Sequence, residues 1–216
     1  MVRWATFDCY GTLIDWDGGV RAELVRVFGD EPADSLLAQY HEIEPELERD
    51  GGRAYRDVLT ESMRRLGAPA GAEYGLADSL PGWRAFPEAN GALNELRRRG
   101  WKLGVLSNTD DDFIAASQVQ LGVMFDEVVV AQEIASYKPA HRHWDEFFAR
   151  TRASRDAHVH VAASLFHDIA PCNELGLKSV WINRAGEHAT VEPTRELADL
   201  LSLPETLDEL VPFVAE

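Results

Sequence analysis

From residue 87 to about residue 182, short apolar runs alternate with helical stretches of about ten residues, and few folds accommodate that pattern. Apolar spacing and glycine stops predict helix over 87–99, strand over 102–106, helix over 111–121 and strand over 127–130. Helix over 140–150, strand over 158–162, helix over 168–175 and strand over 179–182 follow. Strands separated by helices cannot form hairpins; they pair in parallel through crossovers. An earlier β-branched and aromatic run, Val2 to Phe7, ends shortly before Gly11 and reads as the first strand. Between residues 13 and 83 no strand pattern occurs. Helices are predicted there at 20–28, 33–48, 53–66 and, more weakly, 72–80, with Pro45 expected to kink or break the second. Two short helices, 194–201 and 207–211, are expected near the end. The architecture is therefore α/β, with a sheet domain from residues 1–14 and 84–216 and an all-helical insertion, 15–83, after the first strand.

Charge narrows the partners. Asp and Glu number 37 against 21 Lys and Arg, a net charge of −16. Such a field repels phosphate backbones and anionic lipid, so neither nucleic acid nor a membrane surface is an expected partner. No run reaches the ~18–20 apolar residues that span a bilayer. The start, MVRWATFD, carries no signal-peptide pattern, and the expected location is cytoplasmic. Cys9 and Cys172 have neither disulfide nor metal-ligand spacing, so no metal or cofactor is implied by them. The expected ligand is a small molecule. Apolar residues of the insertion such as Leu36 and Leu47 could support a homodimer.

In parallel sheets, chemistry gathers where strands deliver their carboxyl ends. Asp8 follows the first strand, with Tyr10, Gly11 and Thr12 behind it. The second strand ends at Leu106-Ser107-Asn108-Thr109, Lys138-Pro139 follows the third, and Ala163-Ser164-Leu165-Phe166-His167-Asp168 follows the fourth. Each alone has an ordinary reading, as a turn former, a helix cap or a solvated lysine. Together they supply a carboxylate, a hydroxyl, an ammonium and a second carboxylate from four strand ends. Lysine is otherwise scarce here, confined to Lys102, Lys138 and Lys178.

FDCYGTLID, VLSNTD, YKP and ASLFHD before GLKSVWINR resemble, in order, the four motifs of the haloacid dehalogenase superfamily of hydrolases. The resemblance runs from about residue 4 to residue 210 and looks most like the L-2-haloacid dehalogenase branch. It implies a Rossmann-like core, with the helical insertion as a cap domain. It further implies that Asp8 is a nucleophile forming a covalent ester. Thr12 and Ser107 would hydrogen-bond the carboxylate or substrate, and Asn108 would shape the site. Lys138 would keep Asp8 ionised, and Asp168 would pair with Lys138 and orient the hydrolytic water.

Tyr10 is the informative departure. Superfamily phosphatases carry an Asp two residues after the nucleophile to protonate a leaving alkoxide, whereas a halide leaves without a proton. Ala163 likewise stands where those enzymes place an acidic metal ligand. The expected reaction is therefore metal-independent dehalogenation of a 2-haloacid to a 2-hydroxy acid. The alternatives are hydrolysis of another 2-substituted molecule such as a strained cyclic amino acid, a phosphatase using His167 as its acid, or a non-catalytic binding protein. The family's cap arginine is missing, with Tyr40 or His41 at its position. The glutamates of that helix, Glu42, Glu44, Glu46 and Glu48, read as a solvated face, and any that point inward would disfavour an anionic substrate. Trp144 replaces a substrate-shaping tyrosine, and His167 stands beside Asp168, where it could activate water. Tyr10, Tyr40, His41, Trp144 and His167 are thus the expected substrate-contacting set.

Overall fold

The computed structural model describes residues 2–49 and 51–213. Six strands form one parallel sheet: β1 (Arg3–Phe7), β2 (Trp101–Ser107), β3 (Glu127–Val130), β4 (His158–Ala162), β5 (Lys178–Ile182) and β6 (Arg195–Leu197). Their order across the sheet is β3-β2-β1-β4-β5-β6. All of β1 and β4 is buried, as central strands covered on both faces should be. Phe7 stands opposite Val105 on one side and Val161 on the other. From β1 the chain builds outward through β2 and β3, then returns to lay β4 on the opposite flank. That reversal opens a crevice beyond the carboxyl ends of β1 and β4, where Asp8 and Asp168 lie.

Between β1 and β2 the regular elements are helical. They are α1 (Trp16–Phe28), α2 (Ala33–Glu48), α3 (Tyr55–Arg65), α4 (Gly75–Ser79) and α5 (Ala89–Arg98). The last of these already packs on the sheet. Five further helices complete the fold: α6 (Asp111–Leu121), α7 (Ala131–Ile134), α8 (Arg142–Thr151), α9 (Ala170–Glu174) and α10 (Leu203–Leu210). None of the described helices is long and apolar enough to cross a membrane.

Several sequence expectations are corrected. The segment 194–201 is not helical: Arg195–Leu197 pairs with Val180–Ile182 as the edge strand β6. Its leucines fit a helical repeat as well as a strand, and the open backbone edge of β5 decides between them. Pro45 does not break α2, which runs on to Glu48. Burial of Leu47 and Glu48 in the following turn holds the helix together beyond the proline. Leu47 is only 4% exposed, so it is core and offers no surface to a second copy. The stretch before α9 contains one π-helical turn, Leu165–Ile169, rather than regular α-helix.

One carboxylate ties the helical segment to the sheet. The first turn of α3 has no cap from its own preceding residue. Asp110, buried in the loop after β2, instead accepts hydrogen bonds from the backbone N–H groups of Tyr55 at 2.7 Å and Arg56 at 2.9 Å. Replacing Asp110 by Ala leaves those donors unpaired and is expected to cost about 1–2 kcal/mol of stability. A shift of the urea midpoint to lower concentration checks this; an unchanged midpoint would remove Asp110 from the account of how the two parts are joined.

Candidate active site

Gly11 adopts φ +83°, a left-handed conformation that turns the chain just past β1. After this turn Thr12 Oγ1 donates to Asp8 Oδ2 at 2.8 Å while accepting from the Ala163 backbone N–H at 2.9 Å. The other oxygen of Asp8, Oδ1, accepts from Lys138 Nζ at 2.9 Å. Both carboxylate oxygens are thus oriented by donors, and the side chain remains 12% exposed.

Lys138 is buried and uses all three ammonium hydrogens. Nζ donates to Asp8 Oδ1, to Asp168 Oδ1 at 2.7 Å and to the Leu106 carbonyl at 2.9 Å. Burial by itself would lower its pKa, but Asp168 and Asp8 outweigh burial and hold the ammonium above its ordinary range. Reciprocally, burial works to raise Asp168, and Lys138 and His160 overcome it, keeping that carboxyl below its usual range. Lys138 is positioned through its backbone: Asn108 Oδ1 accepts from the Lys138 N–H at 2.7 Å, and Asn108 Nδ2 donates to the Lys138 carbonyl at 3.1 Å.

Behind Asp168 stands a row of buried histidines. His160 Nε2 donates to Asp168 Oδ1 at 2.9 Å, and Thr6 Oγ1 lies 2.8 Å from both His160 Nδ1 and His158 Nε2. His143 Nε2 donates to the Ser107 carbonyl at 3.2 Å. Burial and the nearby Lys138 push His143 down to about 3, so it stays neutral beside the ammonium. Among the described residues no group of three or more His, Cys, Asp or Glu side chains is arranged to hold a metal ion. Instead, Lys138 Nζ sits between the two carboxylates.

A cavity of about 550 Å³ opens over this array. Asp8, Ser107, Asn108, Lys138 and Asp168 line it from the sheet, as do Tyr10, His41 and His167 from the expected substrate-contacting set. Tyr10 stacks against Tyr55 at 6.3 Å, and its hydroxyl shares a 3.0 Å hydrogen bond with Ser117 Oγ. Burial pushes that phenol above its ordinary pKa, so it is a poor acid. His41 stacks on Trp16 at 5.0 Å and lies 2.9 Å from Asp17. His167 is pulled below its ordinary pKa, chiefly by burial, and is therefore a neutral base at pH 7.

Two members of the expected set are elsewhere. Trp144 is fully buried and packs edge-on against His160 at 5.3 Å, not on the cavity. Tyr40 is also buried away from the cavity, with its hydroxyl donating to Glu44 Oε1 at 3.2 Å. Of the α2 glutamates, two turn inward rather than lie on a solvated face. Glu44 and Glu48 are buried, 8% and 5% exposed, and line the cavity. Glu44 Oε1 also accepts from Tyr55 at 2.6 Å, and Glu48 Oε2 accepts from Asn108 Nδ2 at 3.0 Å. Burial, working against those tyrosine bonds, raises Glu44 to about 7; burial and then Glu44 raise Glu48 well above the carboxylate range. The signal for them is the spacing of positions 40, 44, 47 and 48, which share one helical face.

A family model of haloacid dehalogenase-like hydrolases matches residues 2–176. The chain is similar to (S)-2-haloacid dehalogenase 4A of Burkholderia cepacia, with 26% identity over 226 residues, 100% of this chain and 96% of that protein. It is also similar to a phosphatase of Mycobacterium tuberculosis, 31% identical over 152 residues, 66% of this chain and 65% of that protein. In three dimensions it matches the crystal structure of an L-2-haloacid dehalogenase with a TM-score of 0.85 at 24% identity, over 96% of this chain and 99% of that one.

Proposed function

The chain belongs to the haloacid dehalogenase-like hydrolase family, and within it we propose that Asp8 is a nucleophile that displaces halide from the second carbon of a small 2-haloacid. The observation that carries this reading is the pairing of an oriented, ion-paired carboxylate with the absence of an acid two residues later. Asp8 is held by Lys138 and Thr12, while position 10 offers only a phenol whose hydroxyl is engaged with Ser117. A leaving alkoxide needs a proton from such a position; a halide does not. Similarity to a haloacid dehalogenase along the whole chain supports the same reaction.

The step forms a bond between an Asp8 oxygen and the substrate carbon as the carbon–halogen bond breaks, the halide leaving with the electron pair. Lys138 supplies the counter-charge beside Asp8 Oδ1, and Thr12 fixes the rotamer of the carboxylate. Water then attacks the Asp8 side-chain carbonyl carbon, regenerating the carboxylate and releasing a 2-hydroxy acid and a proton. His167 is the base facing the cavity, and Asp168 lines the same space and holds Lys138 beside the ester. Residues 15–83 act as the cap over the reacting groups, with His41, Glu44 and Tyr55 among its contributions to the cavity wall.

The expected result with purified protein is chloride release from 2-chloropropionate in EDTA. Phosphate release from glycerol phosphate that requires Mg²⁺, with no halide from any haloacid, would replace this reading with a phosphatase.

A further inference from the structure

Three polar side chains form a row behind Asp168. Thr6 on β1 stands in register with His160 on β4, His158 lies two residues earlier on β4, and all three are fully buried. Their surroundings are apolar. Trp144 packs edge-on against His160 at 5.3 Å, and Phe147 and Phe148 pack on His158 at 5.4 and 5.1 Å. Apolar side chains would fill such a layer without burying polar groups, whereas this row leaves His158 Nδ1 with no partner among the described residues. Packing alone does not account for it. Hydrogens can be placed along the row one at a time. Asp168 Oδ1 already accepts from Lys138 Nζ at 2.7 Å, so His160 Nε2, 2.9 Å from the same oxygen, must carry a hydrogen. Burial pushes His158 well below its ordinary pKa and keeps it neutral. Thr6 Oγ1 lies 2.8 Å from both His160 Nδ1 and His158 Nε2 and has one hydrogen to give. Given to His160 Nδ1, it leaves the Thr6 lone pairs to accept from His158 Nε2. His158 Nδ1 is then a bare acceptor, which is where the row ends.

We propose that Thr6 selects the Nε2–H tautomer of His160, making His160 a positioning residue that fixes Asp168 and, through it, Lys138 Nζ beside Asp8. The inference rests on the Asp8 reading for what the ammonium does in the reaction, but not for the row itself. With its hydrogen on Nδ1 instead, His160 would turn a lone pair toward an Asp168 oxygen, and the two would repel. Trp144 already packs against the ring, which leaves the tautomer as what Thr6 decides. Lys138 Nζ divides its three donors among Asp168, Asp8 and the Leu106 carbonyl. A displaced Asp168 therefore moves the donor that aims Asp8 Oδ1. Reaction rates are steep in such geometry, and a misplacement of about 1 Å can cost about 10²-fold.

The test compares Thr6→Val, which removes the hydroxyl at nearly constant volume, with Thr6→Ser, which keeps it. Single-turnover chloride release from 2-chloropropionate should fall at least about tenfold in Thr6→Val and stay within about threefold of wild type in Thr6→Ser. KM should stay within about twofold in both, because none of the three row residues lines the cavity. Equal rates in the two variants, or a loss confined to KM, overturn the proposal. The wild-type protein carries a readout that needs neither variant nor turnover. Histidine ¹⁵N NMR should show His160 protonated at Nε2 and bare at Nδ1; a hydrogen on Nδ1, alone or alongside one on Nε2, overturns the proposal. A third signal separates this inference from the one it builds on. The chain has three lysines, so the Lys138 ammonium ¹⁵N resonance can be assigned with Lys138→Met. If the wild type releases no chloride, but that resonance shifts in Thr6→Val and not in Thr6→Ser, the halide reaction is removed and the positioning row stands. A resonance unmoved in both variants removes the row, whatever the turnover.

Discussion

Asp8→Asn is expected to reduce halide release by at least about 10⁴-fold and to abolish the covalent intermediate. The amide is nearly isosteric, and its oxygen can still accept from Lys138 or Thr12, so the fold and cavity persist. What disappears is the anionic oxygen that makes the new carbon–oxygen bond. A neutral amide is a far weaker nucleophile. Cys9, its neighbour in sequence, is buried, and burial together with Asp8 raises its thiol pKa, so no thiolate is available. Circular dichroism should be unchanged while chloride release falls to background. Retention of more than a few per cent of wild-type activity would mean that Asp8 does not form the bond.

Lys138→Met carries the second large effect, for an electrostatic reason. Lys138 Nζ lies 2.9 Å from Asp8 and 2.7 Å from Asp168, and both the lysine and Asp168 are buried. Methionine matches the length of the stem but removes the charge, leaving two neighbouring carboxylates without their shared counter-ion. Breaking such a pair typically costs about 3–5 kcal/mol. Loss of the ammonium also removes the donor that aims Asp8 Oδ1. Ester formation should fall by about 10²–10³-fold. Pre-steady-state halide release checks this. A rate within a few-fold of the wild type would show that ester formation does not depend on Lys138.

The parts of this molecule that were legible in its sequence are those governed by short-range periodicity. Continuous apolar strands, glycine stops and ten-residue helices specify the parallel sheet through β5, and strand order then brings Asp8, Ser107, Lys138 and Asp168 to one edge. Arg195–Leu197 was not legible, because its three residues pair only when β5 presents an open edge. The inward turn of Glu44 and Glu48 also depends on tertiary partners. Alternating charges along α2 look solvated until Tyr40, Tyr55 and Asn108 supply the hydrogen bonds that make their burial tolerable. His160 escaped for a related reason: a histidine alternating along a strand gives no sign that its ring reaches a carboxylate eight residues later. Trp144 fails in the opposite direction. It follows the lysine at a suggestive distance in sequence, yet α8 turns it into the core behind Asp168 rather than toward the substrate.

The central claim, that a covalent bond forms between Asp8 and the substrate carbon, is tested most directly by one turnover in H₂¹⁸O with enzyme in excess over 2-chloropropionate. Water attacking the ester carbonyl must leave its oxygen on the protein. The peptide containing Asp8 should therefore gain one ¹⁸O while the lactate released carries none. Labelled lactate with an unshifted Asp8 peptide would contradict the account, because water would then have attacked the substrate carbon itself.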